Sequence, residues 1–328
     1  MRIVFGILSS RVSSATVQQL VDAIGPQHTV FIHHDFTQRP QFDVTDANVN
    51  ILRPHIQTSW GHWSLVEATR LLMKAAMKQV DDFDYFQLLS DTCLPVRPIT
   101  EFEGYLTTHK PDVTIDIMPL DMRYPYVLWS HGYRFLARKN TMIFRVLRRA
   151  REWIAGSGHI RSVRIEAGIV FALPLPLRGL AATRQSLGRA IYQCVYSMPF
   201  SSHPFSDGLK CFVGSQWFGC SRRVCEYLVA KDDANPLSTH FQCTHAPDES
   251  YFHTLIGNAH SLMDNSPLNS IMPSTHFTKR NARTGDAVNL LEGDEIELLA
   301  SGKFFARKFS TNPSDVMRKK ILARVCDA

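Results

Sequence analysis

Alternation between strand-like and helix-like segments in the first third of the chain limits the fold more than any other sequence feature. Strand patterns lie at 2–8, 28–35, 48–53 and 84–90, and amphipathic helical patterns lie between them at 14–24 and 64–80. The segment "DYFQLLS" (84–90) has no period of two, which is typical of a parallel strand buried on both faces. This order predicts an α/β fold with a doubly wound sheet flanked by helices, and ligands at the carboxyl ends of its strands.

Small or polar residues follow three of the predicted strands: "SSR" (9–11), "HHD" (33–35) and "SDTCLP" (90–95). Any one of them is also compatible with an ordinary loop, but three in succession favour a nucleotide site. The chain contains neither GxGxxG nor GxxxxGK[ST]. A dinucleotide fingerprint and a P-loop are therefore both excluded.

The positive charge of the chain restricts its partners. The net charge is +6, and Lys and Arg cluster at 134–151 and 316–324. Nucleic acid, anionic lipid headgroups and an anionic small substrate all suit such a charge. We expect no nucleic acid, because no zinc-finger or RNA-binding signature accompanies the clusters. Apolar residues interleave with both clusters, which suits a peripheral membrane contact and a solvated helix face equally well.

Composition and cysteine usage are typical of a cytoplasmic globular protein. Of the 328 residues, 45% are hydrophobic and 20% are charged, and no apolar run approaches the roughly 20 residues of a membrane span. The start "MRIVFGILSSR" indicates a buried strand rather than a signal peptide. The seven cysteines are odd in number and form no CxxC pair, which favours reduced thiols. We expect a cytoplasmic location, with any peripheral contact on the inner face of the membrane.

The segment "THAPDESYFHTL" (244–255) places Pro247, Asp248 and Glu249 together where an apolar helix begins. Proline suits the first helical position, and carboxylates in the first turn oppose the helix dipole. Taken alone, these three residues therefore indicate a helix start more strongly than a catalytic site.

Five segments in a fixed order resemble the core-2/I-branching family of β-1,6-N-acetylglucosaminyltransferases and its xylosyltransferase relatives. They are "FIHHD" (31–35), "WGHWSLVEATRLLMKAA" (60–76), "YFQLLSDTCLP" (85–95), "GSQWF" (214–218) with "PDESYFHTL" (247–255), and "FFARKF" (304–309). The resemblance implies a GT-A-like glycosyltransferase fold with a mixed sheet, an inverting reaction, and no cofactor or divalent metal.

Two features differ from the animal members of that family. Those enzymes carry Ser-Gly-x-Asp-x-Pro after the fourth strand, where this chain reads Ser-Asp-Thr-Cys-Leu-Pro (90–95), a form closer to the plant branch. The Trp and His-Pro that usually precede the last motif are absent from 276–294. The identity of the acceptor therefore cannot be carried over.

Inverting sugar transfer needs a base that takes the proton of the acceptor hydroxyl and a positive charge that stabilises the leaving diphosphate. The resemblance assigns the base to Glu249, with Asp248 as a cap, a support or an acceptor contact. It assigns the diphosphate to Arg307 and Lys308, because Arg grips phosphate oxygens in pairs while Lys acts as a point charge.

Other candidates carry weaker signals. On the donor side they are Arg11, His33, Asp35 and Asp91. Trp217 offers an apolar ring face for an acceptor sugar, with burial in the core as an equal alternative. Trp60 and Trp63 bracket Gly61, and we expect both to pack inside the protein.

The chain has one Asp-x-Asp sequence, Asp82-Phe83-Asp84. It lies at the amino end of the strand 84–90, which is the wrong end for the donor, so we expect solvated charge there rather than a metal site.

We interpret the chain as a single domain with a nucleotide-sugar-binding half (1–118), an insertion with acceptor loops (119–208) and a catalytic, diphosphate-binding half (209–328). The expected reaction moves a sugar, N-acetylglucosamine first, from a UDP-sugar to a glycan or glycolipid hydroxyl. The alternatives are transfer from UDP-xylose and a non-catalytic, membrane-associated scaffold.

Overall fold

The computed structural model describes residues 1–120, 203–230, 236–259, 268, 270–281 and 286–326, and the backbone of 162–166 and 169–173. The strands are β1 (Ile3–Ser9), β2 (Thr29–His34), β3 (Val49–Ile51), β4 (Tyr85–Ser90), β5 (Leu94–Pro95), β6 (Val113–Thr114), β7 (Met118–Pro119), β8 (Ser162–Glu166), β9 (Ile169–Leu173), β10 (Phe212–Val213), β11 (Gly219–Ser221), β12 (Ile271–Met272), β13 (His276–Thr278) and β14 (Phe305–Arg307). The helices are α1 (Ser14–Ile24), α2 (Ser64–Gln79), α3 (Ile99–His109), α4 (Arg222–Ala230), α5 (Pro236–Phe241), α6 (Tyr251–Gly257), α7 (Glu295–Ala300) and α8 (Val316–Cys326).

A seven-stranded mixed sheet forms the centre of the fold, in the order β12-β6-β11-β4-β1-β2-β3. The four strands predicted from the first third of the chain pair parallel to one another, with β1 between β2 and β4. The strand β11 runs antiparallel to both β4 and β6. The predicted α/β class is confirmed, and the helix-flanked mixed sheet is consistent with the GT-A-like fold that the resemblance implies.

Both faces of the sheet are covered, as a doubly wound topology requires. Side chains along β1 alternate between two apolar clusters: Val4 belongs to one with Leu72 of α2, and Phe5 belongs to the other with Leu20 of α1. All six residues of β4 are buried, which confirms the expectation drawn from its continuous apolar sequence.

A small sheet joins distant parts of the chain beside the central one. In this sheet β14 pairs parallel to β13 and antiparallel to β5. The strand β5 follows the carboxyl end of β4 within a few residues. The pairing therefore brings Arg307, at the end of β14, next to the "SDTCLP" segment.

The segment Pro247–Glu249 is not the first turn of the following helix, which corrects the sequence prediction. It forms a separate 3₁₀ turn after Ala246, whose φ is 49°. Ser250 then leaves the helical region (φ −140°), and α6 begins at Tyr251. This break lets Glu249 point independently of the helix that follows.

The carboxy-terminal helix α8 turns part of its positive charge inward. Arg318 is fully buried and donates to the carbonyl oxygen of Thr16 and to Oε1 of Gln19, at 3.0 Å each. Lys320 forms an ion pair with Glu295. The other basic segment, 134–151, lies outside the described residues, as does most of 119–208. Among the helices that are described, none is long and apolar enough to cross a membrane.

Candidate active site

The carboxyl ends of β1, β2 and β4 meet at one edge of the sheet, as predicted. The amide of Asp35 donates to the carbonyl oxygen of Ser9 (2.9 Å), and the amide of Asp91 donates to that of Leu8 (3.0 Å). The amide of Ser10 donates to the Asp91 carboxylate at 3.2 Å. The three polar loops are therefore tied together by hydrogen bonds between their backbones and side chains.

Asp35 is fully buried, and its carboxylate is saturated with hydrogen bonds. Oδ1 accepts from the amide and hydroxyl of Thr37, at 3.0 and 2.6 Å. Oδ2 accepts from the side-chain amide of Gln38 at 3.1 Å, and from the amide and hydroxyl of Thr58 at 2.7 and 3.0 Å. Burial raises the pKa of Asp35, but these hydrogen bonds outweigh it and lower the pKa to about 2. The carboxylate therefore fastens the loop around Thr58, and the donor-binding role of Asp35 stays a prediction.

His33 and Arg11 are both connected to that carboxylate: the charge of Asp35 opposes the effect of burial on the pKa of His33, and Arg11 contacts Gln38, which donates to Asp35. Nε2 of His33 accepts from the amide of Ile56 at 3.0 Å, so the neutral ring carries its proton on Nδ1, which has no hydrogen-bond partner in the described structure. Burial lowers the pKa of His33 to about 4, which keeps the ring neutral. Arg11 is exposed, and its Nε donates to Oε1 of Gln38 at 2.6 Å.

A close backbone approach holds Glu249 in place. The amide of Gly214, the first residue of "GSQWF", donates to the carbonyl oxygen of Glu249 at 3.0 Å. A Cβ atom at position 214 would lie 1.6 Å from the carbonyl oxygen of Asp116. Position 214 therefore accepts only glycine without moving the backbone that positions Glu249.

The two neighbouring carboxyl groups of the turn have different environments. Asp248 is 6% exposed, and its Oδ1 has no hydrogen-bond partner in the part of the chain described. Burial and the adjacent Glu249 raise the pKa of Asp248 to about 8, so this side chain is largely protonated at neutral pH. The Glu249 side chain is exposed, but the protein around its carboxyl group still desolvates it and raises its pKa. The positive charges of Arg280 and Arg307 oppose this rise.

Arg307 and Lys308 form a basic pair at the end of β14. Neither side chain makes a hydrogen bond or an ion pair within the described residues, and Nε of Arg307 is buried without a partner. The guanidinium lies over the ring of Trp217, with Cζ 4.7 Å from the ring centroid. Burial lowers the pKa of Arg307, and Asp91 is among the groups that oppose this effect. Burial lowers the pKa of Lys308, and the positive charge of Arg307 lowers it further.

Trp217 is 6% exposed and belongs to the core. Arg307 covers one face of its ring. Burial in the core, one of the two alternatives predicted from the sequence, therefore describes Trp217 better than stacking on an acceptor sugar. Trp63 is likewise buried, as expected, but Trp60 is 80% exposed, which contradicts the expected packing.

Two residues near Arg307 were missed by the sequence analysis. His276 is 5% exposed, neither of its ring nitrogens has a partner within the described parts, and burial, with Arg307 and Lys303, lowers its pKa to about 3. The positive charge of Arg280 lowers the pKa of both Glu249 and Arg307. Both lie in or just after β13, whose pairing with β14 has no signal in the local sequence.

The Asp82-Phe83-Asp84 sequence binds Arg2 at the amino end of the sheet. The carboxylate of Asp84 accepts from the amide of Arg2 at 2.7 Å, and the carbonyl oxygen of Asp82 accepts from the Arg2 guanidinium at 2.9 Å. Within the described ranges, no group of three or more His, Cys, Asp or Glu side chains is placed to hold a metal ion.

Comparisons with known proteins add to this geometry. Residues 15–160 and 183–286 match the family model of the Core-2/I-Branching enzymes. "Xylosyltransferase sqv-6" of Caenorhabditis briggsae is 21% identical over 81% of this chain and 27% of its own length. "Xylosyltransferase 1" of Rattus norvegicus is 22% identical over 79% of this chain and 26% of its own length. The chain thus spans about a quarter of the length of these relatives.

Arg307 and Lys308 lie beyond the matched residues of the family model, whereas Glu249 lies within them. Among solved structures, A197 from STIV shares 15% identity over 41% of this chain and 53% of its own, with a TM-score of 0.21. A superposition of that quality carries no argument about the fold.

Proposed function

The chain belongs to the Core-2/I-Branching enzyme family, and on that premise we propose that it is an inverting glycosyltransferase that uses a UDP-sugar and a glycan acceptor. The observation that carries the proposal is the basic pair Arg307–Lys308, whose side chains make no hydrogen bond or ion pair within the described residues. Nε of Arg307 is buried without a partner there, and the charge of Arg307 opposes the rise that desolvation causes in the pKa of Glu249. An anionic ligand would supply the missing partners, and a nucleoside diphosphate has the charge and oxygen atoms to do so.

In the proposed reaction, the acceptor oxygen attacks the anomeric carbon while Glu249 takes its proton. The bond from that carbon to the diphosphate oxygen breaks, and UDP leaves with the electron pair toward Arg307 and Lys308. A pKa raised above that of an ordinary Glu makes Glu249 a stronger base,. Asp248, with its pKa of about 8, remains largely neutral beside it, so the two carboxyl groups do not repel each other fully,.

The donor sugar has two candidates. The resemblance to the β-1,6-N-acetylglucosaminyltransferases favours UDP-N-acetylglucosamine. The names of the relatives, which are xylosyltransferases, favour UDP-xylose. The acceptor remains a glycan or glycolipid hydroxyl.

A donor screen tests the proposal. UDP-, GDP- and CMP-sugars are compared by heat-shift and by hydrolysis, with and without EDTA. We expect UDP-N-acetylglucosamine or UDP-xylose to give the largest shift, and turnover to survive EDTA because the basic pair meets the diphosphate charge. Activity that EDTA abolishes and manganese restores would contradict the proposed role of the pair, and no response to any UDP-sugar would contradict the function.

We also propose a cytoplasmic location with peripheral membrane contact. In α8, the contact would depend on Lys319 and Arg324, which are exposed, because Arg318 is buried and Lys320 is paired. Replacing both exposed residues by Glu should reduce sedimentation with anionic vesicles at low salt, and unchanged sedimentation would contradict a contact through α8.

A further inference from the structure

Trp60 presents a large apolar ring to solvent. The side chain is 80% exposed, and it is the only aromatic residue among the exposed large hydrophobic residues of the described chain. A single exposed apolar side chain needs no explanation by itself, but this one belongs to a loop that is hydrogen-bonded to the turn of the candidate base, Glu249.

The loop that carries Trp60 is fixed on both sides of the ring. Before it, Thr58 is held by the buried Asp35 carboxylate through two hydrogen bonds. After it, the amide of His62 donates to the carbonyl oxygen of Ser59 at 3.1 Å, and the amide of Ser59 donates to the hydroxyl of Ser64 at 3.0 Å. The ring is therefore presented by an ordered loop, so little conformational freedom remains to be lost on binding.

The same loop is attached to the turn that carries the candidate base. The amide of Ala246 donates to the carbonyl oxygen of Gly61, and the amide of Glu249 donates to that of Ala246, at 3.1 Å each. Two backbone hydrogen bonds therefore connect the Trp60 loop to Glu249. The loop that carries the ring is therefore fixed beside the turn that carries that carboxylate.

His245 sets the orientation of the ring. The two rings meet edge to face, with centroids 5.3 Å apart and an interplanar angle of 68°. Gly61 has a φ of +71°, and a Cβ atom there would lie 3.0 Å from the imidazole. Glycine at this position thus lets the imidazole support the indole from one side, while most of the indole surface stays open.

We infer that Trp60 is an acceptor subsite, in which the indole face stacks on the C–H face of a pyranose ring of the acceptor glycan. This inference rests on the proposed function. A pyranose presents apolar C–H groups on one face and hydroxyls around its edge, which suits a flat apolar ring in water. The subsite selects acceptors that extend beyond the sugar that reacts.

Binding of a labelled oligosaccharide array, measured in the presence of UDP, tests the inference across several classes of acceptor at once. The array contains β-linked galactan, xylan, chitin and N-acetyllactosamine fragments. The proteins are the wild type, Trp60→Ala, Trp60→Phe and the control Ile296→Ala, which truncates another exposed apolar side chain (83% exposed).

The expected result is that Trp60→Ala weakens binding of the retained glycans about tenfold or more, that Trp60→Phe keeps most of it, and that Ile296→Ala changes nothing. UDP affinity, measured by calorimetry, should be the same in all four proteins. Unchanged glycan binding by Trp60→Ala, an equal loss of UDP affinity, or no glycan retained by a wild type that binds UDP would overturn the inference. Failure of the wild type to bind UDP would instead overturn the proposed function.

Discussion

Two clusters of polar residues differ in how many of their buried polar atoms have hydrogen-bond partners. The Asp35 cluster consists of Asp35, Thr37, Gln38 and Thr58, and its carboxylate accepts five hydrogen bonds. The Glu249–Arg307 cluster consists of Asp248, Glu249, His276, Arg307 and Lys308. Within the described residues, it leaves Oδ1 of Asp248, both ring nitrogens of His276 and Nε of Arg307 without partners.

The pKa values of the two clusters follow this difference. Hydrogen bonds to the Asp35 carboxylate outweigh the opposing effect of burial and hold its pKa at about 2. Burial raises the pKa of Asp248 to about 8 and lowers that of Arg307. Satisfied polar groups stabilise a fold, while unsatisfied ones cost stability until a ligand pairs with them. This difference supports the proposal that the first cluster maintains the structure and the second binds the substrate.

The largest expected effect comes from Glu249→Gln. Removal of a general base typically costs about 10²–10⁴ in rate, and we expect that loss in transfer to a glycan acceptor, with UDP affinity close to that of the wild type. The matched control is Glu292→Gln, an exposed Glu that also begins a 3₁₀ turn, Glu292–Asp294. A variant that keeps more than about a tenth of wild-type turnover would show that Glu249 is not the base.

Asp35→Asn tests the opposite side of the comparison. The amide group cannot accept all the hydrogen bonds of the carboxylate, so we expect a loss of about 2–4 kcal/mol in the free energy of unfolding, measured by denaturant titration. The stabilisation by the carboxylate is present above the unfolded pKa of about 3.9 and is lost as the pH falls toward about 2,. The free energies of unfolding of the variant and the wild type should therefore become more similar below about pH 4.

Asp43→Asn, at an exposed position, should leave the stability of the protein unchanged. If a folded Asp35→Asn protein lost UDP binding without losing stability, the comparison would be wrong. Asp35 would then be a donor contact rather than a structural residue.

The smallest of these effects is expected for Arg307→Ala and Lys308→Ala. Each removes a charge-assisted contact worth about 1.5–3 kcal/mol, so UDP affinity should fall roughly ten- to a hundredfold and transfer should slow with it. Thermal stability should fall little, because neither side chain has a hydrogen bond or an ion pair to lose within the described residues, although Arg307→Ala also removes the contact with the Trp217 ring. Arg324→Ala, an exposed Arg on α8, is the control, and a variant of the pair that unfolds more easily while binding UDP normally would contradict a ligand-binding role.

The sequence predicted the parallel strands and the polar loops at their ends, because both depend on local patterns. It did not predict that Asp35 would be saturated, since Thr37, Gln38 and Thr58 become its partners only through loop geometry. The 3₁₀ turn at Pro247–Glu249 and the exposure of Trp60 were also missed. Helical propensity and hydrophobicity describe single segments, whereas both features depend on the contact between the Trp60 loop and Ala246.

The pairing of β14 with β5 has a consequence for the order in which the protein assembles. These strands are separated by about 200 residues, and closing a loop of that length costs more entropy than closing the short connections among β1, β2 and β3,. Contacts of long sequence separation also form slowly. We therefore expect the parallel sheet to form first and the basic pair to reach its place late, so that the proposed affinity for a diphosphate arises only after β14 has paired with β5.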